Sequence, residues 1–306
     1  MKKSWLMLML FTVCSGLLLA QRWYGGGGEG GFIDESTKTA REVATHSTGT
    51  PTWSNPKGFE KDVFTFARIR YSSGNGGRAM AGGFGGRFGG YGRRGRMNSW
   101  QTDTPDSDLN LSYRLQQMTS MKVDPDGRYI RLTDPELVDY PFIYIVEPGG
   151  LSLSDEEALA LRRHLLNGGF LMLDDFWGEA QWENMAAELK KAFPERTFTD
   201  LPLNHPIYHS VFEIKAKGQV PSVRLGVQSE FDPEHRTWED HGPDSETVHH
   251  RGLFDDKGRL MVLATHNTDN GDGWEREGES DYYFHNFSEK IAYPLGINVM
   301  FYVMTH

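Results

Sequence analysis

Tyr140-Pro-Phe-Ile-Tyr-Ile-Val-Glu-Pro-Gly-Gly-Leu-Ser-Leu-Ser-Asp-Glu-Glu-Ala-Leu-Ala-Leu-Arg-Arg-His-Leu-Leu-Asn-Gly-Gly-Phe-Leu-Met-Leu-Asp-Asp-Phe-Trp-Gly-Glu179 is the stretch whose reading decides the fold. Phe142 to Val146 is a short unbroken apolar run, the pattern of a strand covered on both faces. Ser154 ahead of Asp155, Glu156 and Glu157 predicts a helix start, with a hydroxyl cap and acids at the positive end of the dipole. Leu159, Leu161, Leu165 and Leu166 supply its expected buried stripe, and Asn167-Gly168-Gly169 ends it at a left-handed position. Phe170 to Leu173 is a second buried strand. Two parallel strands joined by a helix form a right-handed β-α-β unit, so the chain is an α/β protein with a mainly parallel sheet. Ligands of open α/β sheets sit beyond the carboxyl ends of the strands, which singles out Glu147, Asp174, Asp175, Trp177 and Glu179.

Upstream, Asp62 to Tyr71 reads as the first strand, with Arg68 and Arg70 on one side of its alternation. Leu109 to Met118 predicts a helix capped by Asp108, with Leu111, Leu115 and Met118 inward, although Leu109, Leu111, Tyr113 and Leu115 also fit a strand; the approach loop carries Asp103 and Asp106 as ligand or turn residues. Asp124-Pro125-Asp126-Gly127 is a turn leading into a hairpin or a short strand at Tyr129 to Leu132. Downstream, Gln181 to Phe193 is an amphipathic helix through Trp182, Met185 and Leu189. Ser210 to Ile214 and Leu260 to Ala264 read as strands, the second running into His266-Asn267-Thr268-Asp269. Asn270 to Asp281 reads as an acidic, glycine-rich loop, and Pro294 to Met304 as a closing helix with proline in its first turn.

The chain has 306 residues and a formal net charge of -10, which argues against general nucleic-acid binding because phosphate neutralisation needs a basic field. Met1-Lys2-Lys3 before an apolar run to Ala20 has the form of a secretory leader, or of an uncleaved anchor. Secreted or periplasmic placement is therefore expected, with membrane contact only through a retained leader. The one cysteine, Cys14, lies in that leader, so the mature chain offers no disulfide and no thiol nucleophile. Residues 1–20 are the leader, 21–61 a linker carrying four consecutive glycines, and 62–306 a single domain. A Gly/Arg-rich loop is inserted at 72–96. Its arginines and aromatics could stack on single-stranded nucleic acid, but a solvated loop is favoured and no nucleic-acid partner is expected.

Several segments together resemble the bacterial domain-of-unknown-function family 4159. They are Phe64 to Tyr71, Asp108 to Leu115, Leu132 to Leu137, Asp139 to Phe142, Asn167 to Leu171, the Asp174-Asp175 pair, His205-Pro206-Ile207, His266 to Asp269 and Gly271 to Glu275. The long Gly/Arg tract departs from the pattern. The family is similar to the class I glutamine amidotransferase-like superfamily, and the resemblance implies a flavodoxin-like three-layer sandwich. Active members of that superfamily use a cysteine on a strand-to-helix elbow, which this chain lacks, so the resemblance supports the fold and not the amidotransferase chemistry.

The candidate site comprises Arg70, Asp103, Glu147, Asp174, Asp175, Trp177, His205, His266 and Asn267. Adjacent acids at a strand end can bind a cation, hold sugar hydroxyls or act as acid and base. The structural alternative is that one caps the next helix and the other pairs with an arginine such as Arg70. His205 and His266 with carboxylates could ligate zinc or iron, but no metal and no cofactor is assigned. Gly-x-Ser-x-Gly is absent, and Gly-x-Gly-x-x-Gly does not occur between a strand and a helix. The expected function is a non-catalytic module that binds a small polar ligand or a protein partner. The rival is a hydrolase acting on a saccharide or other polar substrate, with Asp174 or Asp175 as base and His205 or His266 as acid or metal ligand.

Overall fold

The computed structural model describes residues 33–45, 47–59, 62–73 and 99–306. The expected leader and most of the Gly/Arg tract lie outside these residues. In chain order the strands are β1 (Ala67–Ile69), β2 (Ser72–Ser73), β3 (Arg128–Ile130), β4 (Phe142–Val146), β5 (Leu151–Ser152), β6 (Phe170–Phe176), β7 (Thr199–Asp200), β8 (His249–Phe254) and β9 (Leu260–His266). The helices are α1 (Asp106–Met118), α2 (Asp155–Leu166), α3 (Gly178–Ala192), α4 (Val223–Ser229), α5 (Asn270–Glu275), α6 (Asp281–Tyr283) and α7 (Tyr293–Thr305), with a π-helical segment, Phe284–Ala292, running into α7.

Seven strands form one sheet in the order β3-β1-β4-β6-β9-β8-β7, and β2 pairs with β5 apart from it. The first five are parallel, while β8 and β7 extend the sheet antiparallel. Numbered by sequence, the parallel strands run second, first, third, fourth, fifth, so the order of addition reverses between β1 and β4. A reversal of this kind opens a crevice beyond the strand ends.

Alternation along the strands feeds two apolar cores. Ile69, Ile143, Ile145, Leu171, Leu173 and Val262 meet Leu161 and Leu165 of α2 and Met185 and Leu189 of α3. Phe66, Phe142, Tyr144, Phe170, Met172 and Leu263 meet Leu111 and Leu115 of α1 and Ile297, Val299 and Met300 of α7. The expected mixed α/β architecture with a mostly parallel sheet is therefore what the chain adopts.

The central unit forms where it was read, with its cap intact. Ser154 Oγ accepts from Glu157 N at 3.2 Å, and the Glu157 carboxylate accepts from Ser154 N at 2.8 Å. The inner stripe is corrected. Leu161 and Leu165 are buried, but Leu159 is 68% and Leu166 41% exposed, and Ala158 takes the remaining inner position. Positions 158, 161 and 165 follow the helical repeat, whereas 159 and 166 lie off it.

Other expectations change as well. Asp108 does not cap α1; it lies in the first turn, 1% exposed, on Arg68, and Met118 is 51% exposed. The turn at 124–127 leads into a short parallel strand instead of a hairpin. Val211 and Phe212 are not in a strand, because Asn298 of α7 replaces one: its Oδ1 accepts from both amides, and its Nδ2 donates to the Phe212 carbonyl. Residues 270–275 form α5 instead of open loop, with the Asp269 carboxylate accepting from Asp272 N at 2.7 Å. Part of the expected linker is folded onto the domain: Ala40 is fully buried, and Trp53 Nε1 donates to the Val123 carbonyl.

Candidate functional site

A cavity of about 420 Å³ opens at the carboxyl ends of the parallel strands. Its walls come from Thr102 and Asp103 before α1, Glu147 and Gly149 after β4, Asp175 and Trp177 at the end of β6, and Asp269 and Asp272 after β9. Gln181, Ser222, Glu239, His241 and Arg276 close it. This is the place that strand-end geometry requires, beside the reversal between β1 and β4.

Asp174 and Asp175 are adjacent but go separate ways. Three successive pairs join β6 and β9 in register up to Leu173 and Ala264, and the next pair is Phe176 with His266, so β6 carries one extra residue there. Asp175 sits in that bulge with a left-handed backbone, φ 56°. Phe176 consequently returns to the face of Leu171 and Leu173, while Asp175 turns into the crevice. Bulges re-aim side chains in this way.

Asp174, fully buried, does not reach the cavity. Its oxygens accept from Thr265 Oγ1 (2.5 Å), Asn270 Nδ2 (2.7 Å), Tyr144 Oη (3.0 Å) and Gly271 N (3.1 Å). Burial raises its pKa, and these four donors oppose the rise. Asp174 is thus the joint that ties β4, β6, β9 and α5 together.

Three acids that line the cavity have left-handed backbones: Asp103 (φ 63°), Glu147 (φ 48°) and Asp175. Each such non-glycine conformation costs about 1–2 kcal/mol. The carboxyls of Asp103, Asp175 and Asp269 are held well above the usual range, first by burial. Asp103 is pushed further by Asp272 and Glu275, Asp175 by Glu147 and Glu239, and Asp269 by Asp175, Asp272 and Asp103. Asp272 is pushed up to about 7 by burial and by Glu275, with which it shares a hydrogen bond. Glu239 goes the other way, lowered by hydrogen bonds from His241 and Ser222. Among the described residues, Arg276 is the one Lys or Arg side chain in the lining, and it is drawn to Glu275 at 2.7 Å.

The remaining expected site residues lie elsewhere. Arg70 stacks on Trp100, 4.7 Å from guanidinium carbon to ring centre, and donates to the carbonyls of Asp34, Glu35 and Thr37, so it anchors the N-terminal segment. It pairs with neither Asp174 nor Asp175. His205 packs against Phe254, at the end of β8, and Tyr302, and does not line the cavity. Asn267 is buried behind the wall, accepting from Gly178 N and donating to the carbonyls of Asp244 and Thr247.

His266 lies on the α3 side of the sheet, stacked on Phe176. With Asp244 and His249 it forms a group of metal-ligand type. Both ring nitrogens of His266 are committed, however: Nε2 to the Gly178 carbonyl at 3.0 Å and Nδ1 to Arg251 at 3.3 Å. Burial lowers its pKa to about 4, which keeps the ring neutral. These two bonds tie β9 to α3 and β8.

The site residues that the sequence reading missed are Asp269, Asp272, Glu239, His241, Gln181 and Ser222. Asp269 had a usable signal, since an Asp three residues before another acid is a capping pattern. Glu239 and His241 come from a polar stretch without periodicity and carried none.

The family model described as Domain of unknown function (DUF4159) matches residues 90–304, more than two thirds of the chain. The chain belongs to this family. The matched region covers α1 and every element after it, including the cavity walls at Asp103, Glu147, Asp175, Asp269 and Asp272, whereas β1 precedes it. No curated protein matches the sequence significantly. Among the described residues, no helix is long and apolar enough to cross a membrane.

Proposed function

We propose that this DUF4159 protein is a non-catalytic binding module whose strand-end crevice captures a small polar ligand bearing positive charge or several hydroxyls. The observation that carries this reading is the convergence of six carboxylates, Asp103, Glu147, Asp175, Glu239, Asp269 and Asp272, on one cavity with a single arginine among the described residues of its lining. Such a cavity attracts cations and accepts hydrogen bonds, and Trp177 offers an apolar ring beside those acceptors. The strand order supports a flavodoxin-like sandwich of the amidotransferase-like kind, and the leader sequence supports an extracytoplasmic location.

The rival, a hydrolase, loses both imidazoles it relied on, since His205 and His266 do not line the cavity and Asp174 is sealed behind it. The Ser222 hydroxyl bonds to Glu239, so a carboxylate is its partner among the described residues. The test is a panel of amines, amino acids, polyols and monosaccharides read by tryptophan fluorescence. A saturable change that disappears in Asp175→Asn/Glu147→Gln, with the compound recovered unchanged, is expected. Binding that survives the double substitution, or turnover of the compound, would overturn the reading.

A further inference from the structure

Asp103, Asp269 and Asp272 meet on the floor of the crevice. One carboxylate oxygen from each lies within 4.8 Å of the other two. Oxygen ligands at about 2.3–2.6 Å around one Ca²⁺ span such a separation, whereas Mg²⁺, at about 2.0–2.1 Å, draws its ligands closer and keeps its waters.

Asp103 is the telling member. It is 7% exposed and lines the cavity, yet its Oδ2 has no hydrogen-bond partner among the described residues. It is held in place from outside the cluster. Arg68 donates to the carbonyl of Thr102, the preceding residue, at 2.8 Å, and Asp103 O accepts from Ser107 N at 2.9 Å. Gly271 leaves room for it, since a Cβ there would sit 2.1 Å from Asp103 Oδ2. A buried carboxylate without a donor is costly unless something positive faces it.

The other two acids are oriented by backbone amides. Asp269 Oδ1 accepts from Asp272 N at 2.7 Å, and Asp272 Oδ2 from Val223 N at 2.8 Å. Asp269 keeps its other carboxylate oxygen for a ligand, while Asp272 also shares a hydrogen bond with Glu275 and still brings one oxygen within 4.8 Å of the other two acids. All the donors are hard carboxylate oxygens, without thiolate or imidazole, which selects an alkaline-earth type of cation over zinc or copper.

We propose that Asp103, Asp269 and Asp272 hold one hard divalent cation of the Ca²⁺ class at the base of the crevice. The inference rests on the reading of this crevice as a ligand site and deepens it. Three carboxylates leave part of the coordination sphere open toward the cavity, where hydroxyl or carboxylate oxygens of a bound compound complete it.

The experiment uses the full chain, stripped with chelator and returned to chelator-free buffer. Tb³⁺ serves as the luminescent probe, excited through Trp177, which lines the same cavity. One saturable site displaced by Ca²⁺ is expected. Asp103→Asn should weaken it at least tenfold while leaving far-UV circular dichroism and the urea midpoint at or above those of the parent, because the substitution removes a buried charge that holds nothing together. Asp272→Asn should weaken it likewise, and His249→Gln should not. Unsaturable Tb³⁺ luminescence, or Asp103→Asn binding as tightly as the parent, would overturn the proposal.

Failure of the cation and failure of the crevice are distinguishable. A panel compound that binds through Asp175 in excess EDTA, with no Tb³⁺ site, would remove the cation and leave the binding module. Tb³⁺ held through Asp103 with no compound bound would sustain the cation and remove the small-ligand reading.

Discussion

Arg68→Met is the perturbation that joins stability to the site. Arg68 is fully buried in β1; its guanidinium lies over the Tyr144 ring, 5.1 Å from its centre, and directs its hydrogen bonds to α1 and the loop before it. Nε lies 3.1 and 3.0 Å from the two oxygens of Asp108; Nη2 donates to Asp108 Oδ1 at 2.5 Å and to Ser107 Oγ at 2.9 Å. Nη1 donates to the carbonyls of Thr102 at 2.8 Å and Trp100 at 3.2 Å. Methionine keeps the stem and removes the charge. Among the described residues, Asp108, 1% exposed, then retains the hydroxyls of Ser107 and Thr104 as donors. Breaking a buried pair from one side costs about 3–5 kcal/mol, because the stranded charge stays buried. The double variant Arg68→Met/Asp108→Leu removes that charge and should recover most of the loss. It should stay about 1–2 kcal/mol below the parent, since two carbonyls still lack their donor. Urea denaturation at pH 7 with an unchanged m-value measures all three proteins. The folded double variant should also bind Tb³⁺ less tightly, because Thr102 no longer fixes the approach to Asp103. A single variant that loses less than about 1 kcal/mol, or a double variant as unstable as the single, would refute this account of the pair.

Gly271→Ala places a Cβ against Asp103 Oδ2, so the carboxylate must move; an overpacking cost of about 1–3 kcal/mol is expected in denaturation, with weakened Tb³⁺ binding. Asp174→Ala strands the donors of Tyr144, Thr265, Asn270 and Gly271, and should cost at least about 3 kcal/mol, more than a lost helix cap. His250 is buried against Tyr208 Oη at 2.9 Å, and burial, helped by Lys217 and His249, lowers its pKa to about 3. It is neutral in the fold and protonated in the unfolded chain below its ordinary value, so its contribution is present at pH 7 and lost as pH falls from 6.5 toward 3. Asp175 and Asp269, with raised carboxyl pKa values, act in the opposite sense, gaining stability as pH falls. The His250→Gln difference isolates the imidazole: the slope of stability against pH between 6 and 4 should fall by about 1.4 kcal/mol per pH unit. Equal slopes would show that His250 is solvated.

The β4-α2-β6 unit was legible because local signals agreed: two buried runs, a reciprocal cap at Ser154 and Glu157, and glycines at the exit. The strand-end rule pointed to the rim where a cavity opens, and Asp103, Glu147, Asp175 and Trp177 line it. Arg68 and Arg70 show where that reasoning stops. Both belong to one side of an ideal strand, but β1 ends at Ile69, so Arg68 meets Asp108 from the sheet while Arg70 meets carbonyls of the N-terminal segment. The Asp174-Asp175 pair fails for a related reason. Period-two alternation sends neighbours to opposite faces, and the bulge at Asp175 shifts the count by one, so the partition of roles depends on register with β9 and not on the dipeptide. Asp269 and Asp272 were hidden because glycine and acid together read as loop, although Asp269 caps a turn of helix there. What brings Asp272 to Asp103 is the close contact of Gly271 with the Asp103 carboxylate, a match between residues far apart in the chain. A candidate site built on such long-range contacts emerges from packing, and the sequence could reveal the sheet that makes the crevice sooner than the acids that furnish it.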